Sequence, residues 1–422
     1  MQTLAELKAG KLIGIKHLTL SENLTEFPME ILTLADSLEV LDLTNNQLSS
    51  LPDEIKQLTQ LKIIFASNNL FVVLPAALGA CPSLEMVGFK SNQIKVVPDE
   101  SLPLQLRWLI LTDNQIVSLP ESLGYCIRLQ KLALAGNQLT RLPKSTDQLL
   151  NLELLRISAN QMVAFPIQLL VLPKLAWFAF SGNPFCETDL HIKSVPEVTS
   201  TDYHLLDVLG QGASGVIYQA NWADDVNQSN TFPDQIAVKV FKGKVTSDGY
   251  PEDELQVCLK VGEHKNIVKS VAQVNETHYL ALVMELIPSH FNNLGLPPSF
   301  ESCTRDTFEP GFSLSIESIK KIVEQMQQVF EHLHVNQVCH GDLYAHNTLF
   351  DEQSNIIVGD FGAASMYHML PDILQDSIKE IEERALMHFI DDLLNICHPE
   401  DKSSTDYDSL KKQATTPKYN IL

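Results

Sequence analysis

Between residues 38 and 183 the apolar positions recur in a fixed frame around an asparagine. Asn46, Asn69, Asn92, Asn114, Asn137, Asn160 and Asn183 are separated by 23, 23, 22, 23, 23 and 23 residues. Around each of the first six, apolar residues stand eight, five and three positions before and two and five positions after, and proline follows. Leu38, Leu41, Leu43, Asn46, Leu48, Leu51 and Pro52 show the frame in full, and Leu129, Leu132, Leu134, Asn137, Leu139, Leu142 and Pro143 repeat it. An opening copy (Ile15, Leu18, Leu20, Asn23, Leu24, Phe27, Pro28) is one residue short, and a last one (Leu175, Phe178, Phe180, Asn183, Phe185) breaks off after Pro184. A period of this length means one supersecondary unit per copy, here a short strand near Leu41 to Leu43 and a return segment opened by Leu-Pro. No single copy can bury its apolar face. Stacked copies share one core, at about 1.5–3 kcal/mol for each fully buried Leu-sized side chain. The asparagines are expected to satisfy backbone groups at the bend after each strand.

This frame resembles the leucine-rich repeat family over residues 15–186, about seven to eight repeats. The resemblance implies an α/β solenoid of horseshoe shape, with contacts on the concave strand face. The variable positions six and four before each asparagine include Phe65, Trp108, Ile110 and Trp177, large apolar residues that are expected to contact a protein partner or substrate.

After Cys186 the period stops, and a Pro/Ser/Thr connector runs into a new pattern. Gly210, Gly212 and Gly215 form GxGxxG between two β-like runs; Val216-Ile217-Tyr218-Gln219-Ala220 reads as a strand, so a hairpin over phosphates is expected and not the helix of a dinucleotide site. Ile236-Ala237-Val238-Lys239 is an apolar strand that ends by aiming an ammonium at phosphates. Glu254 has the best spacing to pair with Lys239, and Glu252 is next. Leu282-Val283-Met284-Glu285-Leu286 reads as a strand and hinge whose backbone meets adenine, with Met284 limiting the pocket. After the apolar helix pattern of residues 316–334 comes His340-Gly341-Asp342-Leu343-Tyr344-Ala345-His346-Asn347, a D-x-x-x-x-N loop, and then Asp360-Phe361-Gly362 behind an apolar strand. Phosphoryl transfer needs positioning and charge neutralisation more than covalent chemistry. Asn347 and Asp360 can share Mg2+ ions that bridge the phosphates, and Asp342 can accept the proton of an attacking hydroxyl.

These motifs, in this order, resemble the protein kinase superfamily over residues 203–397. The resemblance implies an α+β bilobal domain using ATP and Mg2+. On matching positions, Gly210, Gly212 and Gly215 would cover the phosphates, Ile217, Ala237 and Leu349 would sandwich adenine, and His340 would stack with Phe361. The expected organisation is a repeat domain over 1–186, a linker over 187–202, a kinase domain over 203–397 with a shortened C-terminal lobe, and a tail over 398–422. The expected activity is ATP- and Mg-dependent phosphorylation of a protein hydroxyl, serine/threonine specificity favoured, with the repeats recruiting the partner.

Four departures from the family's pattern bear on regulation and substrate. Gly341 replaces the arginine before the catalytic aspartate, and Tyr344 the lysine two residues after it. His346 is a candidate substitute cation, or an ordinary loop histidine. No Ala-Pro-Glu follows Asp360-Phe361-Gly362, and an acidic helix arrives early, placing Glu382 where it can anchor the catalytic loop. The chain also ends about 80 residues beyond Asp342. The stretch 288–312 carries no readable role. His-Gly-Asp-Leu also resembles small-molecule phosphotransferases of the same fold, and a silent nucleotide-binding scaffold is the remaining alternative. With Ser365 and Tyr367 the only hydroxyl residues between Ala363 and Ser377, control by phosphorylation of that segment is not expected.

Charge and composition narrow this further. Of the net charge of −22, residues 1–195 carry −3 and residues 196–422 carry −19. Phosphate backbones are repelled, so no nucleic-acid partner is expected. No run approaches 18 apolar residues, and no signal-peptide pattern opens the chain, so membrane insertion is not expected and a cytoplasmic location is. Seven scattered cysteines without a CxxC pair argue against a disulfide framework or a zinc site.

Overall fold

A computed structural model describes residues 2–186, 195–212, 214–223, 226 and 232–416. The chain divides into two compact units: Met1–Leu175 with Asn183–Phe185, and Ala176–Gly182 with Cys186–Leu422.

In the first unit the repeat frame becomes seven parallel strands, β1 (His17–Thr19), β2 (Val40–Asp42), β3 (Ile63–Phe65), β4 (Met86–Gly88), β5 (Trp108–Ile110), β6 (Lys131–Ala133) and β7 (Leu154–Arg156). They are in register through one inward residue per strand, Leu18, Leu41, Ile64, Val87, Leu109, Leu132 and Leu155 in turn. All seven are essentially inaccessible to solvent. Each proline of the frame precedes a short 3-10 turn, as at Pro52 before Asp53–Gln57 and Pro143 before Lys144–Gln148. Its fixed φ and missing N–H suit that junction.

The asparagines act as expected. Asn69 Nδ2 donates to the carbonyls of Leu43 and Ala66, while its Oδ1 accepts from Leu48 N. Asn137 does the same with Leu111, Leu134 and Ile116. One side chain thereby ties two coils. The residue before each asparagine turns left-handed: Asn45, Asn68, Ser91, Asp113, Gly136, Ala159 and Gly182 all have φ between 52° and 69°.

Unit two opens with β8 (Trp177–Ala179), which the repeat frame assigns to the solenoid and the contacts assign here. Of the expected linker, residues 187–194 lie outside the described residues, and the remainder is no free connector: Val198 N donates to Gln273 O and Gln273 N to Pro196 O. A five-stranded antiparallel sheet follows in the order β12-β13-β11-β10-β9, built from β9 (Tyr203–Gln211), β10 (Gly215–Trp222), β11 (Ile236–Phe241), β12 (Ser270–Glu276) and β13 (Tyr279–Glu285). One face buries Ile236, Val238, Ala272, Val274, Ala281 and Val283. The other packs Ala237, Leu282 and Met284 against Leu255 and Leu259 of helix α2 (Pro251–Val261).

Beyond the sheet lie a helix and the loops that carry the site. Helix α3 (Ile316–Val335) is capped by the Ser315 hydroxyl and buries Ile319, Ile322, Met326, Val329 and Leu333 at three- and four-residue steps. Short pairs connect β14 (Asn292–Asn293), β16 (Thr348–Phe350) and β17 (Ile356–Val358), and also β15 (Val338–Cys339) with β18 (Ser365–Met366). Helix α4 (Asp372–Asn395) starts directly after Pro371, five residues earlier than the acidic run suggested. The expected tail is also structured, since α5 (Thr405–Gln413) buries Leu410 and Lys411 Nζ lies 2.7 Å from Asp391. Residues 417–422 lie outside the described residues.

Candidate active site

Strand β11 runs through the middle of the sheet, so the Lys239 side chain emerges from a backbone bonded on both edges. Its ammonium bonds Glu254 Oε1 on α2, and both residues are buried. Glu252, the alternative partner, is exposed. Burial pulls the Lys239 ammonium down, but the carboxylates of Glu254 and Asp360 outweigh it and hold its pKa above the ordinary value. Burial raises Glu254, and Asp360 adds to that rise against the pull of Lys239. Two carboxylates therefore act on one lysine, Glu254 from the interior and Asp360 from an exposed position.

The glycine-rich segment forms the hairpin expected of it, with Gly212 N donating to Gly215 O at 3.0 Å. A Cβ on Gly215 would lie 2.5 Å from Val240 O, so only glycine fits there. Gly210 and Gly212 face open space within 4 Å. Ala213, at the tip, lies outside the described residues.

Ile217 and Leu286 are partly buried against Ala237 and Met284, forming an apolar wall that is incomplete on its own. Leu349 sits on β16, partly exposed, across from Asn293 and Ile357. Along the hinge, Glu285 N donates to Lys269 O and Leu286 N to Gln235 O. Ile287 N makes no hydrogen bond among the described residues.

Asp342 and Asn347 meet on the loop after β15. Asn347 Nδ2 donates to Asp342 Oδ2 at 2.9 Å and to Asp342 O at 3.0 Å. His340 connects this loop to the strand that ends at Asp360: its Nε2 lies 3.1 Å from Gly359 O and its Nδ1 3.3 Å from Asp342 N. A proton on Nε2 satisfies both contacts. The His340 and Phe361 rings are 5.1 Å apart, the contact the resemblance implied. Asp360 is exposed and has φ of 53°, a left-handed conformation that non-glycine residues adopt at a cost and that clusters at functional sites.

Glu382 on α4 anchors the loop, its Oε1 accepting from His340 N and Gly341 N and its Oε2 lying 3.0 Å from His334 Nε2. The stretch 288–312, opaque in the sequence, supplies a second anchor. Asp306 accepts from Ala345 N and lies 2.6 Å from His346 Nδ1. Arg305 beside it bonds Asp391 at 2.9 Å and Asp392 at 2.5 Å. The adjacent Arg305 and Asp306 in a turn-rich stretch are the signal that could have found it. His346 is thus held by a carboxylate of the insertion.

Of the stripe expected to bind a partner, Phe65 and Ile110 are partly exposed, whereas Trp108 is buried, with Lys131 Nζ 4.8 Å above its ring. Trp177 departs from the expectation. It is 1% exposed, and its Nε1 donates to Leu343 O at 2.9 Å.

Residues 203–378 match the protein kinase domain family, and residues 37–58 match the leucine-rich repeat. A serine/threonine-protein kinase of Debaryomyces hansenii is 25% identical over 173 residues, 40% of this chain and 27% of that one. A probable myosin light chain kinase of Dictyostelium discoideum is 25% identical over 181 residues, 42% and 52% of the two chains. The calcium/calmodulin-dependent protein kinase type 1 of Caenorhabditis briggsae is 30% identical over 165 residues, 38% and 41%. The chain spans about a quarter of the length of the first two relatives, 27% and 22%. Among solved structures, a Leptospira interrogans leucine-rich-repeat protein aligns at 26% identity over 42% of this chain and 57% of that one, with a TM-score of 0.28. The second unit is thus similar to protein kinase domains over residues 203–378, and the first is similar to leucine-rich repeats.

Proposed function

We propose that this chain transfers the γ-phosphate of Mg-ATP to a serine or threonine hydroxyl of a protein, and that its repeats recruit that protein. One observation carries the reading: His340 bonds the loop of the Asp342–Asn347 pair to Gly359, next to Asp360, whose charge acts on Lys239 in its ion pair with Glu254. Among the described residues no group of three or more His, Cys, Asp or Glu forms a metal cage. One carboxylate and one amide, from Asp360 and Asn347, suit Mg2+, whose remaining positions are filled by phosphate oxygens and water. When bound, Mg-ATP supplies an electrophilic phosphorus with its charge neutralised.

The chain's own residues do the rest. Lys239, kept protonated by its two carboxylates, offers a fixed positive charge to phosphate oxygens. Ile217, Ala237, Met284 and Leu349 give apolar surface to a base, with Glu285, Leu286 and Ile287 at its edge. Asp342, oriented by Asn347, takes the proton of the incoming hydroxyl. Phe65, Trp108 and Ile110 are the proposed partner contacts. Among the described residues no helix is long and apolar enough to cross a membrane, and a cytoplasmic location is proposed.

Saturating Mg-ATP is expected to raise one thermal transition, by about 2.7 kcal/mol at 100 times the dissociation constant. Labelled phosphate should then appear on serine or threonine of a generic basic protein. A nucleotide that moves no transition sinks the proposal.

Phosphorylation after Asp360-Phe361-Gly362 is not expected to switch activity. Ser365 is 0% exposed and Tyr367 1% exposed, so neither presents its hydroxyl to another kinase. Phosphatase treatment should leave the initial rate unchanged. A tenfold loss, about 1.4 kcal/mol in the barrier, overturns this expectation.

A further inference from the structure

We propose that Ala176–Gly182 is a positioning element of the active site, with Trp177 as the positioning residue that holds the Asp342 loop in the geometry for transfer. The inference rests on the phosphotransfer reading above and deepens it. Three sets of contacts carry it, all within the second unit.

The first is on the catalytic loop itself. Trp177 Nε1 donates to Leu343 O, the carbonyl directly after Asp342, at 2.9 Å. The indole is stacked on Tyr344, with centroids 4.8 Å apart and planes within 7°. His388 of α4 lies 5.2 Å from the same indole at 16°. Tyr344 in turn lies 4.9 Å from His346, which Asp306 holds. Burial foremost, then the positive charge of Arg305, lowers His388 to about 4, so its ring joins the stack uncharged at neutral pH. The four rings form one row that runs through residues 344 and 346 of the loop.

The second concerns the residue before Asp342. Gly341 has φ of 71°, and a Cβ there would stand 2.6 Å from Ala363 O and 2.8 Å from Phe178 O. Backbone of the 176–182 segment takes the space that any side chain would need. The missing arginine is a consequence of that packing. Third, the buried Ser365 Oγ accepts from Phe180 N at 2.9 Å and Ser181 N at 3.1 Å. The same segment therefore holds the chain just beyond Gly362.

Kinases that are switched by phosphorylation order such loops through a phosphate received by arginines. Here seven residues of chain bond to both the loop with Asp342 and the segment after Asp360. They supply by covalent attachment the order that a phosphate would supply by charge. A misplacement of about 1 Å can cost about 10²-fold in rate, so the segment acts on turnover and not on nucleotide binding.

The test uses the full chain and measures kcat, KM for ATP and the Mg-ATP-induced thermal shift for wild type, Trp177→Phe and Trp177→Leu. Trp177→Leu is expected to lose about 10²-fold in kcat at unchanged KM and unchanged shift. Trp177→Phe keeps a ring between Tyr344 and His388, loses the donor to Leu343 O, and is expected in between. Full kcat in Trp177→Leu overturns the inference, and so does a parallel loss of kcat and nucleotide binding. If Trp177→Leu does not fold, Trp177→Phe decides: reduced kcat at unchanged nucleotide binding supports the inference, and wild-type kcat overturns it. A wild-type chain that transfers no phosphate sinks the phosphotransfer reading and this inference together, whereas an active wild type with indifferent variants sinks the inference alone.

Discussion

Asp342→Asn is expected to cut kcat by about 10²–10⁴-fold, the usual contribution of a positioned general base, while Mg-ATP binds as before. The aspartate addresses the incoming hydroxyl, and the nucleotide is held elsewhere, by Lys239, the glycine-rich hairpin and the hinge. An amide is nearly the same size as the carboxylate. It cannot take a proton, and it meets the Asn347 Nδ2 donor with weaker acceptance at the 2.9 Å contact. Asp360→Asn should behave differently, weakening Mg-dependent nucleotide binding as well as turnover. Steady-state kinetics and nucleotide-dependent melting, run on both variants, separate the two roles. Full turnover in Asp342→Asn would remove the proposed mechanism.

The repeats were legible because each coil restates one frame, and every copy adds an independent vote for strand, bend and return. Lys239 and Glu254 were legible for a similar reason: a strand-end lysine and a buried acid one turn into an amphipathic helix have few other ways to be satisfied. Glu382 was readable from the protein kinase resemblance, as the carboxylate of the early acidic helix placed to anchor the catalytic loop. Trp177 was not. In the frame it occupies the same place as Trp108, and what separates them is a hydrogen bond to residue 343, more than 160 positions away. Asp306 was equally hidden, since its partners Ala345 and His346 come near only through the tertiary fold. Local pattern reports which face of an element is buried. It does not report against what.

That contrast explains where the second unit departs from the protein kinase pattern. Gly341 and Tyr344 read as losses of cations when taken one at a time. In three dimensions the glycine admits the Phe178 carbonyl and the tyrosine receives the Trp177 indole. His346 lies against Asp306, a carboxylate contributed by the insertion. The substitutions belong to one rebuilt surface of the loop.

Glu382→Ala should destabilise the unit that binds Mg-ATP more than any single change in the cleft. Glu382 is 2% exposed, and one oxygen accepts both His340 N and Gly341 N while the other lies 3.0 Å from His334 Nε2. Alanine takes this acceptor away from both buried amides, at about 1–3 kcal/mol each. Against a typical domain stability of about 5–15 kcal/mol, that is a large share. At about 2–4 °C per kcal/mol for a unit of this size, the nucleotide-sensitive transition should fall by roughly 5–20 °C. The transition of the repeat unit should not move, because none of the three donors lies in it. Glu382→Gln keeps an oxygen for the two amides and should retain most of the stability, with His334 adopting the tautomer that accepts from the new amide. Differential scanning calorimetry with and without Mg-ATP identifies the transition and measures the shift. Coincident melting of Glu382→Ala and wild type would mean that the catalytic loop is held by other contacts, and that the carboxylate is a passenger on α4.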